Sequence, residues 1–290
     1  FIFARYIPTP KSTAIIGRVG KHTMETLPPD VQRLISQGLV LVNDDGVPTP
    51  ALALSWDIGD NGRVYTFHLN KDIAWHDGKK LIPQDITYNF TDVEVEYREN
   101  AVTYTLKEPF APFFHAVSTP IIKANKYGTQ NYRLINSKAI GGTIQSLTLE
   151  SETHRLIYKF YPTETSVITA YKLGEINTIH NLSYVPVELR NDPTSVITQS
   201  EQNQKITALF MNNKDIVLSS KAVRQGLAYA IEDKSFGYVR ALSPISKKSW
   251  AYNDLVKEYD FDADRAKTLI AQDLQDISSV KIELKTVLQY

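Results

Sequence analysis

The chain has 290 residues, of which 42% are hydrophobic and 22% charged, and this composition excludes a disordered or collagen-like protein. Its 32 Lys and Arg residues balance 32 Asp and Glu residues, so no net charge would attract nucleic acid or an anionic membrane surface. Cysteine is absent, which excludes disulfide bonds, thiolate metal ligands and a cysteine nucleophile. A chain of this length usually forms two or more subdomains.

The chain starts with four apolar residues, and no Met precedes them. These residues could be the exit of an export or anchoring segment, or one end of an apolar strand, and so short a run does not distinguish the two. Elsewhere, no run approaches the roughly twenty apolar residues that a membrane-spanning helix requires.

Hydrophobic periodicity, turn residues and prolines together predict helices and strands along most of the chain. In chain order, the predicted elements are a helix running into a strand over 28–42, a strand over 63–69 after a turn at 60–62, a helix beginning at Pro83, a strand over 101–106, paired strands over 147–149 and 156–160, a helix over 167–173, a strand over 205–211, a helix over 221–231, a helix capped by Asp262, and a strand over 280–288. Gly38 and Gly174 stand where the first and third of these helices should end.

Two segments carry further structural predictions. Phe110, Phe113 and Phe114 are expected to fill part of a hydrophobic core rather than to contact a ligand. The strand at 280–288 has one apolar face, so it either joins a sheet formed by earlier strands or needs partners that these 290 residues do not contain. In the second case we expect it to be loosely packed or paired with another chain.

The residues nominate no catalytic, nucleotide or metal site. The segment 17–23 superficially suggests a phosphate-binding loop, but Ile15 stands where that loop requires Gly. The six His residues show no spacing typical of two zinc ligands on one helix, so we expect no bound metal and no cofactor. No serine-nucleophile motif is present, and although a pair of acids for glycoside chemistry stays open, nothing nominates one.

Several blocks in order resemble a known family. The most specific are Trp56, YTFHL at 65–69, WHDGK at 75–79 and DITYNF at 85–90. Together they resemble the signature stretch of the family-5 extracellular solute-binding proteins, the oligopeptide, dipeptide and nickel receptors of bacterial ABC importers. Further matching blocks are QGLV at 37–40, PALA at 50–53, KLGEIN at 172–177, FMN at 210–212, VRQGLAYAI at 223–231, SPI at 243–245, WAY at 250–252 and the segment 259–267.

The chain departs from the family pattern at three places. Asn177 replaces the usual Asp, Gly226 replaces the usual Ala, and residues 141–144 lack the G-P-Y continuation. Family members are also considerably longer, and the missing part would carry most of a second lobe.

The resemblance implies an α/β, periplasmic-binding-protein-like fold with mixed sheets, two lobes and an extra inserted domain. Residues 10–46 and 138–245 would form the main domain of lobe one, and 47–137 the inserted α/β domain. Residues 246–290 would form the crossover and the first strand of lobe two, which is otherwise largely absent from this chain.

The resemblance also implies a monomeric, non-enzymatic protein outside the cytoplasm, and tethering by an N-terminal segment stays open. Such a receptor closes by a hinge around a solute, a peptide in our leading hypothesis, and delivers it to the permease subunits of an ABC importer. A nickel-type solute, or a surface receptor or scaffold without a transport role, stays open. A hydrolase with unrecognised acids is a weaker alternative.

Similarity to peptide-binding relatives predicts where a ligand would lie. The loop Met24, Glu25 and Thr26 is the first candidate, because an extended peptide can add as a strand to an exposed edge. Asn212 and Trp250 are second candidates. The signature residues themselves are expected to build the fold rather than to contact ligand, since their pattern is that of a packed sheet and a tight turn.

Overall fold

The structure is a computed structural model that describes residues 10–43, 45–198, 206–235, 239–247, 249, 251–274 and 281–285. Its strands are β1 Ser12–Val19, β2 Val40–Val42, β3 Pro48–Pro50, β4 Ala53–Gly59, β5 Val64–Leu69, β6 Val93–Arg98, β7 Ala101–Leu106, β8 Arg133–Ile140, β9 Thr143–Glu150, β10 His154–Tyr161 and β11 Thr178–Ile179. Its helices are α1 Pro29–Ile35, α2 Phe113–Val117, α3 Glu164–Lys172, α4 Val187–Arg190, α5 Lys221–Ala230 and α6 Ala263–Asp273, with 3₁₀ turns at Asp60–Gly62 and Pro83–Asp85.

The larger sheet is mixed and has the order β11-β1-β10-β9-β8. The first three of these strands run parallel, and β10, β9 and β8 are antiparallel neighbours. Leu147 lies opposite Tyr158 and Leu149 opposite Leu156, which confirms the predicted strand pair. The sequence analysis did not predict β1, the strand in the middle of the parallel part.

Helices cover the two faces of this sheet. On one face α1 places Val31 and Ile35 against Ile16 and Tyr158 in one buried cluster. On the other face α3 forms a second cluster with residues that include Ile15 and Val19. The alternation of Ile15 and Ile16 between clusters is the period-two pattern of a strand buried on both sides.

The smaller sheet has the order β4-β5-β7-β6 and covers an aromatic core. Tyr65, Phe67 and Trp75 share one cluster, as expected for a sheet with one apolar face. Phe113 is buried and Phe114 packs against the cluster, which confirms the predicted core role, whereas Phe110 is 50% exposed.

The described residues fall into two compact units, one formed by 10–43 and 47–196 and the other by 45–46 and the described residues from 197 to 285. The three-part domain organisation expected above stays a prediction. In the second unit, α5 and α6 begin at the side-chain caps Ser220 and Asp262 and pack together. A Cβ at Gly226 would lie 2.6 Å from Ile270 Cγ1, so this close approach explains why Gly replaces the usual Ala.

Three predicted elements are wrong. Pro83 begins a single 3₁₀ turn, because Ile86 turns to an extended conformation and Tyr88 then bonds to the core backbone. Residues 206–211 form no strand, since no described strand pairs with them. Of the predicted last strand, residues 281–285 form no strand, and Ile282 and Leu284 are 47% and 75% exposed. The rest of that strand lies outside the described residues.

The two glycines predicted to end helices differ in role. Gly174 follows α3 with a φ of +74°, which confirms it as a terminator. Gly38 does not cap α1, which ends at Ser36. A Cβ at Gly38 would lie 2.5 Å from Val117 O, so close backbone packing requires this glycine.

The longest described helix, α6, has 11 residues, and none of the described helices has the length and hydropathy of a bilayer-spanning segment.

Two buried tyrosines of the smaller sheet's core should respond oppositely to loss of the hydroxyl. Tyr88 donates to Val117 O at 2.7 Å and accepts from the Leu39 N–H at 3.2 Å. Tyr104 Oη is buried with no partner among the described residues. We expect Tyr88→Phe to lower the free energy of unfolding by about 1–2 kcal/mol and Tyr104→Phe to leave it unchanged or raise it by up to ~1 kcal/mol. Urea unfolding of both variants checks this, and equal losses would contradict it.

Candidate functional site

The connections out of the parallel strands define a switch point at their carboxyl ends. The chain leaves β1 toward α1 on one face, and it leaves the adjacent β10 toward α3 on the other. In open α/β sheets, ligands bind outside the carboxyl ends of strands where such connections diverge. The loop 20–26 and the turn into α3 lie at this edge, because Gly20 N–H donates to Tyr161 O at 2.9 Å.

The loop that follows β1 is held by its own side chains. Thr23 N–H donates to Thr26 Oγ1 at 2.8 Å, and Thr26 N–H donates to Thr23 Oγ1 at 3.3 Å. Gln32 Nε2, on α1, donates to Glu25 O at 3.0 Å. Ile144 N–H donates to His22 O at 2.8 Å and ties the loop to β9. These bonds give the loop one fixed conformation.

The fixed loop leaves backbone donors at its surface. Met24 packs its side chain on the cluster beneath α1, whereas Glu25 and Thr26 are exposed. Within the described part of the chain, the N–H groups of Met24 and Glu25 have no hydrogen-bond acceptor. Two consecutive free N–H groups on a rigid loop can bind a carbonyl or carboxylate oxygen of a ligand.

His22 supports the loop from below. Its Nδ1–H donates to Thr26 O at 2.8 Å, and its ring lies edge-on to Phe160 with centroids 5.1 Å apart. Gly20 has a φ of +134° and no room for a side chain, because a Cβ would lie 2.5 Å from His22 Nε2. That Nε2 atom is buried and unpartnered among the described residues.

A buried cation lies on the same edge. Arg18 is 6% exposed, and its Nη1 lies 2.5 Å from Asp30 Oδ2 in the first turn of α1. Register places Arg18 beside Phe160 on β10, and on the other side the His180 N–H donates to Gly17 O. Arg18, Phe160 and His180 therefore form one row across the ends of three strands.

The neighbours of Arg18 are held neutral. Burial lowers the pKa of His180, and the positive charge of Arg18 lowers that pKa further. Burial, with the nearby Asp30 charge, raises the pKa of Tyr158 to about 12. Of the side chains that neighbour Arg18 in this row, Asp30 is therefore the charged one.

The predicted site residues are only partly brought together. Met24, Glu25 and Thr26 form one surface of the first unit. Asn212 lies in the second unit, where its Oδ1 accepts from Lys214 N–H at 3.1 Å and closes a turn. Trp250 lies outside the described residues. A ligand role for these five residues stays a prediction.

Sequence reasoning missed Arg18 and His180. The available signal was a charged residue, Arg18, two positions after Ile16 on the same face of an apolar run. An inward-facing charge in such a run has to be paired or has to bind something. His180 carries no comparable signal, because it becomes a neighbour of Arg18 only through strand pairing.

His76 has a structural role. Its Nδ1 accepts from Gly128 N–H at 3.1 Å and its Nε2–H donates to Gln130 O at 2.6 Å, so both ring nitrogens are used. Burial lowers the pKa of His76 despite the Gln130 bond. Among the described residues, no three His, Asp or Glu side chains cluster in a way that could hold a metal ion.

Two grooves lie away from this edge. One, of about 460 Å³, lies beside Asn177 at the amino end of β11, and the other, of about 330 Å³, lies beside Phe90 and Phe110 on the smaller sheet. Neither includes a residue of the loop 20–26.

Comparison with known proteins identifies the family of this chain. The family model described as "Bacterial extracellular solute-binding proteins, family 5 Middle" matches residues 47–96 and 151–286, which is more than half of the chain. The chain belongs to this family. This match confirms the family resemblance inferred from the sequence. The homologues and structural neighbours are binding proteins and not enzymes, which agrees with the prediction of a non-enzymatic protein.

Individual relatives are distant. The heme-binding protein A of Haemophilus influenzae is 22% identical over 77% of this chain and 53% of its own length. The dipeptide-binding protein of Escherichia coli is 22% identical over 77% of this chain and 54% of its own length. The chain thus spans about half the length of the curated relatives it matches.

Solved structures confirm the fold class. NikZ from Campylobacter jejuni, in complex with Ni(L-His), superposes with a TM-score of 0.69 and 25% identity over 91% of this chain and 63% of that one. The chain therefore has the α/β, periplasmic-binding-protein-like fold of family 5, with mixed sheets, and its neighbours are longer.

Proposed function

We propose that this family-5 protein binds a peptide outside the cytoplasm and delivers it to the permease subunits of an ABC importer. The observation that carries the peptide assignment is the pair of N–H groups at Met24 and Glu25, which have no acceptor among the described residues and lie on a loop at the switch point of the sheet. A peptide in extended conformation presents carbonyl oxygens that such an edge can bind irrespective of side-chain identity.

The loop is suited to this role because its conformation is set in advance. The reciprocal Thr23 and Thr26 bonds and the Gln32 bond to Glu25 O order the backbone before any ligand arrives. Binding to an ordered loop loses little conformational entropy, so more of the hydrogen-bond free energy appears as affinity.

Relatives indicate how wide the ligand range of the family is. Those named above are a heme-binding protein, a dipeptide-binding protein and a structure with Ni(L-His). Backbone N–H donors favour the peptide among these classes, because an extended peptide presents a carbonyl oxygen at every residue, whereas heme and Ni(L-His) offer oxygens only at their carboxylates.

Loss of one backbone donor tests the proposal. Glu25→Pro removes the N–H group, which has no acceptor among the described residues, and Pro is a common residue in turns such as the one at Glu25 and Thr26. Glu25→Ala removes the exposed side chain but keeps the donor. With tri-alanine, Ala-Phe-Ala and Ala-Lys-Ala as probes, we expect Glu25→Pro to raise Kd about tenfold. Glu25→Ala should stay within about threefold, because exposed charges contribute little.

Native mass spectrometry of the three proteins, with circular dichroism to confirm folding, provides the measurement. Equal affinities for Glu25→Pro and the unsubstituted chain would remove the loop from the site. Absence of binding to all three probes would contradict the peptide assignment itself.

A further inference from the structure

The two side chains of the Arg18–Asp30 ion pair differ strongly in their exposure to solvent. The cation is buried, with 7% of its side chain exposed, whereas the carboxylate of Asp30 is 60% exposed. Burying a guanidinium is costly unless acceptors satisfy it, and an exposed carboxylate compensates that cost only weakly. An apolar residue at position 18 would avoid this desolvation cost, so stability alone does not explain a buried charge there.

Most of the donors of this guanidinium are unused. A guanidinium carries five N–H groups in a planar fork. Within the described residues, its one acceptor is Asp30 Oδ2, which takes a bond from Nη1. In the described part of the chain, the fully buried side-chain polar atoms without a partner are His22 Nε2 and Tyr104 Oη. The unpaired nitrogens of Arg18 are not among them, so these nitrogens keep some exposure to solvent.

The surroundings leave this charge without a second anion. Phe160 on one side is apolar, and His180 on the other has a lowered pKa and is therefore neutral at pH 7. Tyr158 stays protonated because burial raises its pKa to about 12. Among these neighbours of Arg18, Asp30 is therefore the one anion.

The pair also adjoins the loop of the proposed site. Asp30 lies on α1 two residues before Gln32, which donates to Glu25 O at 3.0 Å. On the strand side, Phe160 lies opposite Arg18 and contacts the His22 ring. The pair is therefore linked to the loop through Gln32 on the helix side and through Phe160 and His22 on the strand side.

We propose that Arg18 is a specificity-determining residue that binds a carboxylate of the solute through the unused side of its guanidinium fork. The inference rests on the proposed function. Arg fits this role because its planar fork can donate two parallel hydrogen bonds to one carboxylate. In this arrangement Asp30 orients the guanidinium of Arg18. Its negative charge also weakens the attraction of Arg18 for anions in general, so a bound carboxylate has to fit the geometry of the guanidinium as well as its charge.

The test uses three peptide probes that differ only in their carboxylates. Tri-alanine carries a C-terminal carboxylate, tri-alanine amide carries none, and Ala-Glu-Ala amide carries one on a side chain. We expect the unsubstituted chain to bind tri-alanine at least tenfold more tightly than its amide. If Ala-Glu-Ala amide binds more tightly than tri-alanine amide, Arg18 binds a side-chain carboxylate. If the two amides bind equally and tri-alanine binds more tightly than both, Arg18 binds the C-terminal carboxylate.

Two variants separate recognition from structure. Arg18→Met keeps the apolar stem and should bind tri-alanine and its amide equally, at the level of the amide. Asp30→Asn keeps an acceptor oxygen for Arg18 but removes the competing charge, so it should bind tri-alanine more tightly than the unsubstituted chain. A purely structural pair predicts no such gain. If Arg18→Met does not fold, Arg18→Lys should fold and retain only part of the preference.

The outcomes are distinguishable. Equal binding of all three probes by the unsubstituted chain overturns the role of Arg18 and leaves the proposed function standing. The same follows if Arg18→Met keeps the preference for the free acid. Binding of none of the three probes overturns the proposed function, and this inference with it.

Discussion

Gly128→Ala is expected to be the most destabilising single-methyl substitution in the first unit, lowering its free energy of unfolding by about 3 kcal/mol. A Cβ at Gly128 would lie 1.9 Å from Ile35 O and 2.6 Å from Ile35 C. The contacted atoms are backbone and cannot rotate away. They are also fixed, because Ile35 O accepts from Gln130 N–H at 3.0 Å and Gly128 N–H donates to His76.

Gly59→Ala is the matched control. Gly59 has an extended conformation with a φ of −119°, and the nearest atom to a new Cβ is Val64 Cβ at 3.8 Å. We expect this variant to be neutral or stabilised by up to about 1 kcal/mol. Urea unfolding followed by Trp fluorescence measures both, since Trp56 and Trp75 lie in this unit. Similar midpoints for the two variants would show that the backbone at Ile35 yields easily.

Asp85→Ala is expected to lower the free energy of unfolding by about 2–4 kcal/mol, because one carboxylate joins three segments. Asp85 Oδ2 accepts from Trp75 Nε1 at 2.7 Å and from Ile82 N–H at 3.3 Å, and Oδ1 lies 2.7 Å from Lys123 Nζ. The substitution leaves the buried indole N–H without an acceptor. Asp77→Ala, in the neighbouring block WHDGK, should cost less than about 1 kcal/mol, because exposed Asp77 supports only a local turn.

The contribution of Asp85 should depend on pH. Burial alone would raise the pKa of Asp85, but hydrogen bonds from Lys123, Trp75 and Ile82, with the Lys123 charge, lower it below its ordinary value of 3.8. A lowered folded-state pKa means that the stabilisation is fully present above that ordinary value and is lost as the pH falls through the folded-state pKa. The stability gap between the unsubstituted chain and Asp85→Asn should therefore shrink below about pH 4. A gap that is constant from pH 7 to pH 3 would contradict this.

Asp85 also explains why a signature can identify a family without marking its ligand site. Trp75 of the block WHDGK donates to Asp85 of the block DITYNF. Trp75 lies in the core of the smaller sheet, and the Asp85 side chain beside it is only 10% exposed. The expectation that these residues build the fold agrees with these contacts. Their pattern reflects packing requirements, which distant relatives share even where their solutes differ.

Local patterns in the sequence determined the elements whose stability is local or pairwise. The Asp262 cap and the Gly174 terminator act within a few residues, and α5 has a local hydrophobic period, so local sequence patterns located α5, α6 and the end of α3. The antiparallel pair β9 and β10 followed from matched alternation across a short turn. Ordered motif blocks determined the family as well.

Only the tertiary structure decided the rest, because it depends on contacts between residues far apart in the chain. Pro83 failed to start a helix since Tyr88 bonds to Val117 O, which lies 29 residues away. Gly38 is required by the backbone of Val117 rather than by a helix end. The candidate site arises in the same way. Arg18, Phe160 and His180 become neighbours only when three parallel strands pair, and strand pairing is a long-range hydrogen-bonding event that no local pattern specifies.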